Sequence, residues 1–414
     1  MKPAGRQSAI VIGAGLTGSV AARNLAEMGY EVDIFEKKPY PGGALFDFQN
    51  DDGIWIHTSG PHIFHTASDK VYNFVRRFCN WKSYQHRVLA SIDGKLCPIP
   101  FNFTSIEMCF PDKAADEYKK HLSGAITGKE SIIDDLKTSH DPKVRELADF
   151  IYNKIFLRYT QKQWGVIPEE LGKEVLARVP VRASYEDRYF SDPYQMLPEN
   201  GYTFFIRELL SHPSIHLHVN SNCTLHVSPE DGKILLNGEK INFPVVYTGC
   251  PDTLFSYIYG VLPYRTLCFV RDNKPWPFQP AAVVNYPNVP GYTRITEFKH
   301  FYPEDASEKR ANRFTCANHS QNLSMKPQNG KILESVIQYE YPGAYDPEKE
   351  DNEPFYPIPT KENHRLFQKY ADLASKIPNL YPAGRLGSYR YMNMDQAILK
   401  ALDLSNKIGK MLGG

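Results

Sequence analysis

Little in this chain points to a membrane, to nucleic acid or to an oxidising compartment. No apolar run approaches the length of a membrane span, and 48 Lys and Arg balance 47 Asp and Glu without forming a basic block. Neither a bilayer crossing nor a nucleic-acid partner is therefore expected. The seven cysteines are odd in number, widely spaced and never arranged Cys-x-x-Cys, which argues against both a disulfide framework and a zinc site. Met1 to Ser8 leads directly into an apolar strand, with no h-region or cleavage pattern. A cytoplasmic location is expected, and the sequons at Asn102, Asn222 and Asn322 then carry no meaning. Three histidines, His57, His62 and His65, fall within nine residues, but no carboxylate or cysteine stands beside them, so no metal is assigned. There is no Ser-His-Asp constellation, no conspicuous nucleophilic cysteine and no internal repeat.

What is present begins with Ala9-Ile10-Val11-Ile12, a short apolar run that reads as a buried parallel strand, followed by Gly13-Ala14-Gly15-Leu16-Thr17-Gly18 and a helical stretch from Ser19 to Met28. Glycines at this spacing let the chain turn, let the backbone approach a pyrophosphate, and let the helix pack close with its positive end toward the phosphates. A second strand, Glu31 to Glu36, places a carboxylate eighteen residues after Gly18, where it suits the adenosine ribose hydroxyls and disfavours a 2′-phosphate. Glu36-Lys37-Lys38-Pro39-Tyr40-Pro41-Gly42-Gly43, a carboxylate leading into a Gly-Gly pair, resembles the two-dinucleotide-binding flavoproteins. At the other end, Gly384 to Asp395 leads into a helix to Leu412 with apolar Ile398, Ala401, Leu402, Leu404 and Ile408. That helix is expected to point at the same dinucleotide, with Asp395 near its N-terminus.

With 414 residues, 42% of them hydrophobic, the chain is long enough for two or three structural domains. From Pro111 to Tyr159 it is polar and helical, with apolar Leu136, Val144, Leu147, Ile151 and Ile155. From Val175 to Gly201 and from Leu262 to Tyr341, aromatic and β-branched residues alternate with polar ones, as expected for antiparallel strands of a second sheet. Between them, Ile215 to Val219, Leu225 to Val227, Lys233 to Leu236 and Pro244 to Gly249 read as short strands returning to the nucleotide domain. Asp346 to Pro359 reads as a loop.

Aromatic residues and arginines recur together in Tyr159-Thr160-Gln161-Lys162-Gln163-Trp164-Gly165, Pro180-Val181-Arg182 and Arg188 to Tyr194. A ring that stacks on a base beside a guanidinium that pairs with phosphate suits a nucleotide. With Gly60-Pro61-His62-Ile63-Phe64-His65-Thr66, Tyr84-Gln85-His86-Arg87-Val88, Tyr247-Thr248-Gly249, Pro263-Tyr264-Arg265, Thr293-Arg294 and the final Gly384 to Asp395 block, the chain resembles the UDP-galactopyranose mutase family over nearly its whole length.

The resemblance implies an α/β protein: a discontinuous FAD-binding Rossmann-like domain (1–80, 205–260 and 380–414), a helical-bundle insertion (105–174), and a six-stranded antiparallel substrate sheet (81–104, 175–204 and 261–379). It implies a flavin-dependent isomerase of UDP-galactopyranose and UDP-galactofuranose, active with reduced FAD through a flavin N5–sugar C1 adduct. A homodimer or higher homo-oligomer is implied too. Its catalytic residues would be Arg182, Arg294, His62, Tyr341 and Tyr391. Substrate would meet Tyr159, Trp164, Tyr194, Asn285, His86, Asn393 and Arg385. The cofactor would meet Gly13, Gly15, Leu16, Thr17, Gly18, Glu36, Lys37, Gly43, Ala44, His62, Arg385, Met394 and Asp395. Two departures are visible: Ala44 where members usually carry Asn, and Ser59 where an aromatic precedes Gly-Pro-His. The same mutase chemistry on a 6-deoxy or N-acetyl nucleotide-hexose, or an amine-oxidase-type flavin oxidoreductase, are the alternatives, and a binding protein without turnover is a third.

Overall fold

The computed structural model describes residues 7–128, 130–177, 179–221, 223–302 and 334–412. Cys316 and the sequons at Asn222 and Asn322 lie outside them.

A five-stranded parallel sheet forms the nucleotide-binding unit, in the spatial order Ile215–His218, Glu31–Phe35, Ser8–Ile12, Val245–Tyr247, Leu380–Pro382. Its central strand is apolar from Ala9 to Ile12, with Ala9, Ile10 and Val11 buried, because both faces are covered. One face carries the helices Leu16–Glu27, Gly201–Leu210 and Met394–Leu412, and the first and last are tied by Asn24 Nδ2 donating to Ser405 Oγ at 2.7 Å. Not all the strands expected to return here do so. Leu225–Ser228, Lys233–Leu236 and Glu239–Ile241 form a separate antiparallel meander.

The helical insertion starts at Phe103–Cys109, where Asn102 and Ser105 form a reciprocal capping box. Asp141 caps Pro142–Ile151, whose Val144, Leu147, Ala148 and Ile151 fall at helical spacing and are buried. A π-helical turn, Tyr152–Phe156, then leads into Leu157–Trp164, and Gly165, in the left-handed region at φ +74°, ends that helix.

Among the described residues the large sheet has seven strands, in the order Tyr356–Pro357, Tyr264–Pro275, Glu334–Ala344, Arg294–Glu297, Val283–Asn285, Val88–Ile92, Lys95–Ile99. This is one more than the expected six, because the short edge strand comes from the segment that reads as a loop. Nor is it wholly antiparallel, since Val283–Asn285 runs parallel to Val88–Ile92. Tyr194–Pro198, expected in this sheet, instead pairs with Phe64–Thr66 and Trp81–Ser83 in a three-stranded sheet of its own. Among the described residues no helix is long and apolar enough to cross a membrane.

Candidate active site

An elongated cavity of about 500 Å³ opens at the carboxyl ends of the parallel strands, the place where open α/β sheets bind ligands. Its floor is the turn from Ile12 into the helix Leu16–Glu27. No side chain caps that helix, so its first N–H groups are left for an acceptor outside the helix. Gly13 turns at φ +97°, and a Cβ there would lie 2.2 Å from Thr248 Oγ1. A Cβ on Gly18 would lie 1.9 Å from the Gly13 carbonyl oxygen, so helix and strand approach as closely as the glycine spacing predicts. Glu36 is buried at one end, where its two carboxylate oxygens accept the backbone N–H of Ala14 (2.8 Å) and of Lys38 (2.9 Å). Each oxygen keeps a lone pair for a ribose hydroxyl. Of the residues assigned to the cofactor, all but Asp395 line this cavity. Asp395 stands behind the wall, accepting from Thr66 Oγ1 at 3.2 Å and from the Gln396 N–H at 2.7 Å. The long, phosphate-ready floor with a carboxylate at one end fits a flavin dinucleotide.

At its far end the cavity is lined by Arg385, His62 and Asn393, and beyond that lining lies a cluster of rings around Arg385 and Arg294. Arg385 is held by the carbonyls of Phe355 and Met392, with its guanidinium about 5 Å from the ring centres of Tyr356 and Tyr391. Those two rings stack at 5.4 Å, and Trp164 meets both, at 5.9 and 5.8 Å. Arg294 donates to Tyr159 Oη at 2.5 Å and lies 3.5 Å from Glu340 Oε2. Burial opposes its charge, but Glu340 and the surrounding tyrosines hold the guanidinium protonated. Asn285 sits directly opposite Arg294 in the sheet register, and its buried Oδ1 has no hydrogen-bond partner. His62 Nδ1 is 2.9 Å from the Gly60 carbonyl, which assigns the ring proton to Nδ1 and leaves Nε2 as an acceptor. Burial, with Arg385 and Arg294 nearby, pushes its pKa down to about 4, so it is neutral at pH 7. Asn393 also lines the cavity. The site thus offers two fixed positive charges, a neutral imidazole and a wall of rings, an arrangement suited to a nucleoside diphosphate.

Three of the assigned residues, Arg182, Tyr194 and Tyr341, stand away from this cluster. Arg182 is buried with its Nε 3.1 Å from Glu130 Oε2 and its Nη1 on the carbonyls of Arg188 and Glu186. It is not among the residues that line the cavity; an internal carboxylate takes its Nε and a loop its Nη1. Tyr194 donates to Asp69 at 2.7 Å and stacks on Tyr72 at the surface. Tyr341 follows Glu340 on one strand, and successive side chains point to opposite faces. It therefore turns away from Arg294, against Gly291 and Tyr292. Conversely, Glu340, Tyr356 and Gln163 belong to the cluster and were not singled out. Only the alternation around Tyr339-Glu340-Tyr341, with a carboxylate at every-other-residue spacing to buried positions, could have signalled the first.

The three neighbouring histidines diverge. His65 pairs with Asp192 at 2.7 Å and stacks on Phe190. His57 stacks on Phe301, with its Nδ1 accepting the His62 backbone N–H at 3.1 Å. Burial pushes both His57 and His86 down to about 3, His86 also feeling Arg294. In the unfolded chain these imidazoles take protons near 6.5, so the unfolded state binds more protons and the stability present above pH 6.5 is lost as pH falls toward 3. At pH 4.5 the loss is about 2.7 kcal/mol for each ring. Asp47 acts in the opposite sense. Burial pushes its carboxyl up to about 6 despite hydrogen bonds from Tyr202 and Thr203, and this returns about 2 kcal/mol over the same range. A net fall of about 3 kcal/mol from these three groups is expected between pH 7 and 4.5, measured by urea unfolding. Imidazole NMR signals showing protonation of His57 or His86 above pH 5 would contradict it.

The family model for UDP-galactopyranose mutase matches residues 154–391, and that for the NAD(P)-binding Rossmann-like domain matches residues 11–78. A probable UDP-galactopyranose mutase from Klebsiella pneumoniae is 32% identical over 96% of this chain and 94% of its own. A dTDP-fucopyranose mutase from Escherichia coli is 30% identical over 95% and 96%. Among solved structures, reduced UDP-galactopyranose mutase superposes with a TM-score of 0.69 at 17% identity, covering 99% of this chain and 96% of that one, which supports the fold. Cavity, fold and near full-length similarity lead to one conclusion: the chain belongs to the UDP-galactopyranose mutase family and is a flavin-dependent mutase.

Proposed function

We propose that this protein interconverts UDP-galactopyranose and UDP-galactofuranose with FAD, in its reduced form, bound along the cavity that runs from Glu36 to His62. The observation that carries this reading is the half-buried Arg294, ringed by Tyr159, Tyr356 and Glu340 beside the dinucleotide cavity. As the anomeric bond to UDP breaks, negative charge grows on the diphosphate, and a guanidinium held in place by Tyr159 and Glu340 stabilises that charge where it develops. Trp164 and the Tyr356–Tyr391 stack offer the faces on which a uracil and sugar can lie. The neutral His62 presents an acceptor near Arg385 rather than a third positive charge. When bound, the reduced flavin supplies the nucleophile, which fits a cluster that, among the described residues, has no serine or cysteine placed for attack.

The test is chromatography of UDP-galactofuranose incubated with the purified yellow protein, with and without dithionite, beside a panel that includes dTDP-linked 6-deoxyhexoses. Conversion to UDP-galactopyranose only under reduction is expected. Conversion of a 6-deoxy sugar alone would move the substrate, and substrate-driven oxygen uptake without isomerisation would overturn the reading.

A further inference from the structure

The helix Leu157–Trp164 carries Tyr159 and Trp164, the proposed base-side wall, and the loop 286–293 joins Asn285 to Arg294, the proposed diphosphate-side wall. One side chain connects them. Lys162 Nζ donates to the carbonyls of Tyr286 (2.5 Å), Val289 (2.8 Å) and Tyr292 (2.8 Å). Three donors on one ammonium thus meet three acceptors converging from a single loop, which matches the full donor capacity of a lysine. The loop is otherwise closed on itself by the Tyr286 N–H to the Thr293 carbonyl, and Asn288 adds a contact to the Lys154 carbonyl at 3.1 Å. The helix end is fixed from the other side, where Arg265 donates to the carbonyls of Lys162 and Gln163 at 2.9 Å each. Burial draws the Lys162 ammonium down to about 8, so at neutral pH it remains charged and uses all three N–H groups.

We propose that Lys162 is a positioning residue: its ammonium, caged by the Tyr286, Val289 and Tyr292 carbonyls, locks the loop that ends at Arg294 to the helix of Tyr159 and Trp164. It thereby sets the spacing between the diphosphate-binding and base-binding walls. The inference rests on the nucleotide-sugar reading for its effect on substrate, whereas the cage is a property of the protein alone.

Its test uses Lys162→Ala in the full-length flavoprotein, which leaves room for an exogenous alkylammonium. Amide exchange in residues 288–292 should rise, and the KM for UDP-galactofuranose and the Kd for UDP should each rise about tenfold, a change of about 1.4 kcal/mol. The kcat should stay within about threefold and flavin content should be unchanged. Millimolar propylammonium should restore both exchange protection and affinity, a rescue that a loss of packing would not show. Unchanged exchange, unchanged UDP affinity, or failure of propylammonium to restore either would overturn the proposal. Should Lys162→Ala not accumulate folded, Lys162→Arg decides. Its planar fork cannot aim at three converging carbonyls, so wild-type affinity and exchange in that variant would overturn the cage. A wild-type protein that shows the cage in amide exchange but binds no UDP would sink the nucleotide-sugar reading instead.

Discussion

Arg294→Ala is expected to lower kcat/KM for the nucleotide sugar by about three orders of magnitude, because one fixed charge-stabilising donor accounts for a factor of 10² to 10³ and the diphosphate also loses its ground-state partner. Flavin content should not change, since Arg294 does not line the dinucleotide cavity. The alanine variant also leaves Glu340, 3% exposed, without its cation, a loss of about 3–5 kcal/mol where the carboxylate stays ionised. Arg294→Lys separates the two effects. It keeps a positive charge near Glu340 but cannot offer a planar fork to both Tyr159 and a phosphate. That variant should fold normally and still lose on the order of a hundredfold in kcat/KM. A lysine variant with a near wild-type rate would remove Arg294 from the chemistry.

Gly18→Ala should abolish flavin binding. The added carbon would sit 1.9 Å from the Gly13 carbonyl oxygen and 3.1 Å from Val11 Cγ1. The nearest of these is backbone of the phosphate turn, so the helix must move off the strand and its N-terminus must leave the pyrophosphate. A loss of several kcal/mol is expected, as for other overpacked cores (about 1–3 kcal/mol or more), together with colourless protein after purification. Gly124→Ala is the matched control. It lies in the helix Asp112–Ala125 with nothing within 4 Å of the added carbon, so it should be neutral or stabilising by up to about 1 kcal/mol. A yellow Gly18→Ala variant of ordinary stability would show that helix and turn are not pressed together as described.

The dinucleotide end is legible in the sequence because its signals are local: a strand, three glycines, a helix and an acid within thirty residues dictate one conformation. The substrate end is not local, and its legibility is uneven. Arg294 is reached through family resemblance, but its partner Glu340 is identified only when two strands are paired in register. The same pairing shows that Tyr341 faces away. Pro180-Val181-Arg182 reads as an anion site, and the fold sets the Arg182 Nε against Glu130, fifty-two positions earlier, a pairing that no spacing rule anticipates. Tyr356 hides in a Pro-rich stretch that reads as a connection and becomes an edge strand only because Tyr264–Pro275 is there to receive it.

The cradle for the dinucleotide draws its floor from residues 13–18, one rim from Thr248 and Gly249, and its far wall from Gly384 to Ala397, while the final helix Met394–Leu412 is pinned to the first through Asn24 and Ser405. During synthesis the first strand-turn-helix leaves the ribosome long before the segment that completes its binding site. Flavin capture therefore has to wait until residues 384–412 have been made, and until then the nascent nucleotide domain lacks both its last helix and the stabilisation that a bound ligand confers on the folded state. A chain that stops before Gly384 keeps the whole phosphate turn yet should hold no cofactor and be cleared by proteolysis.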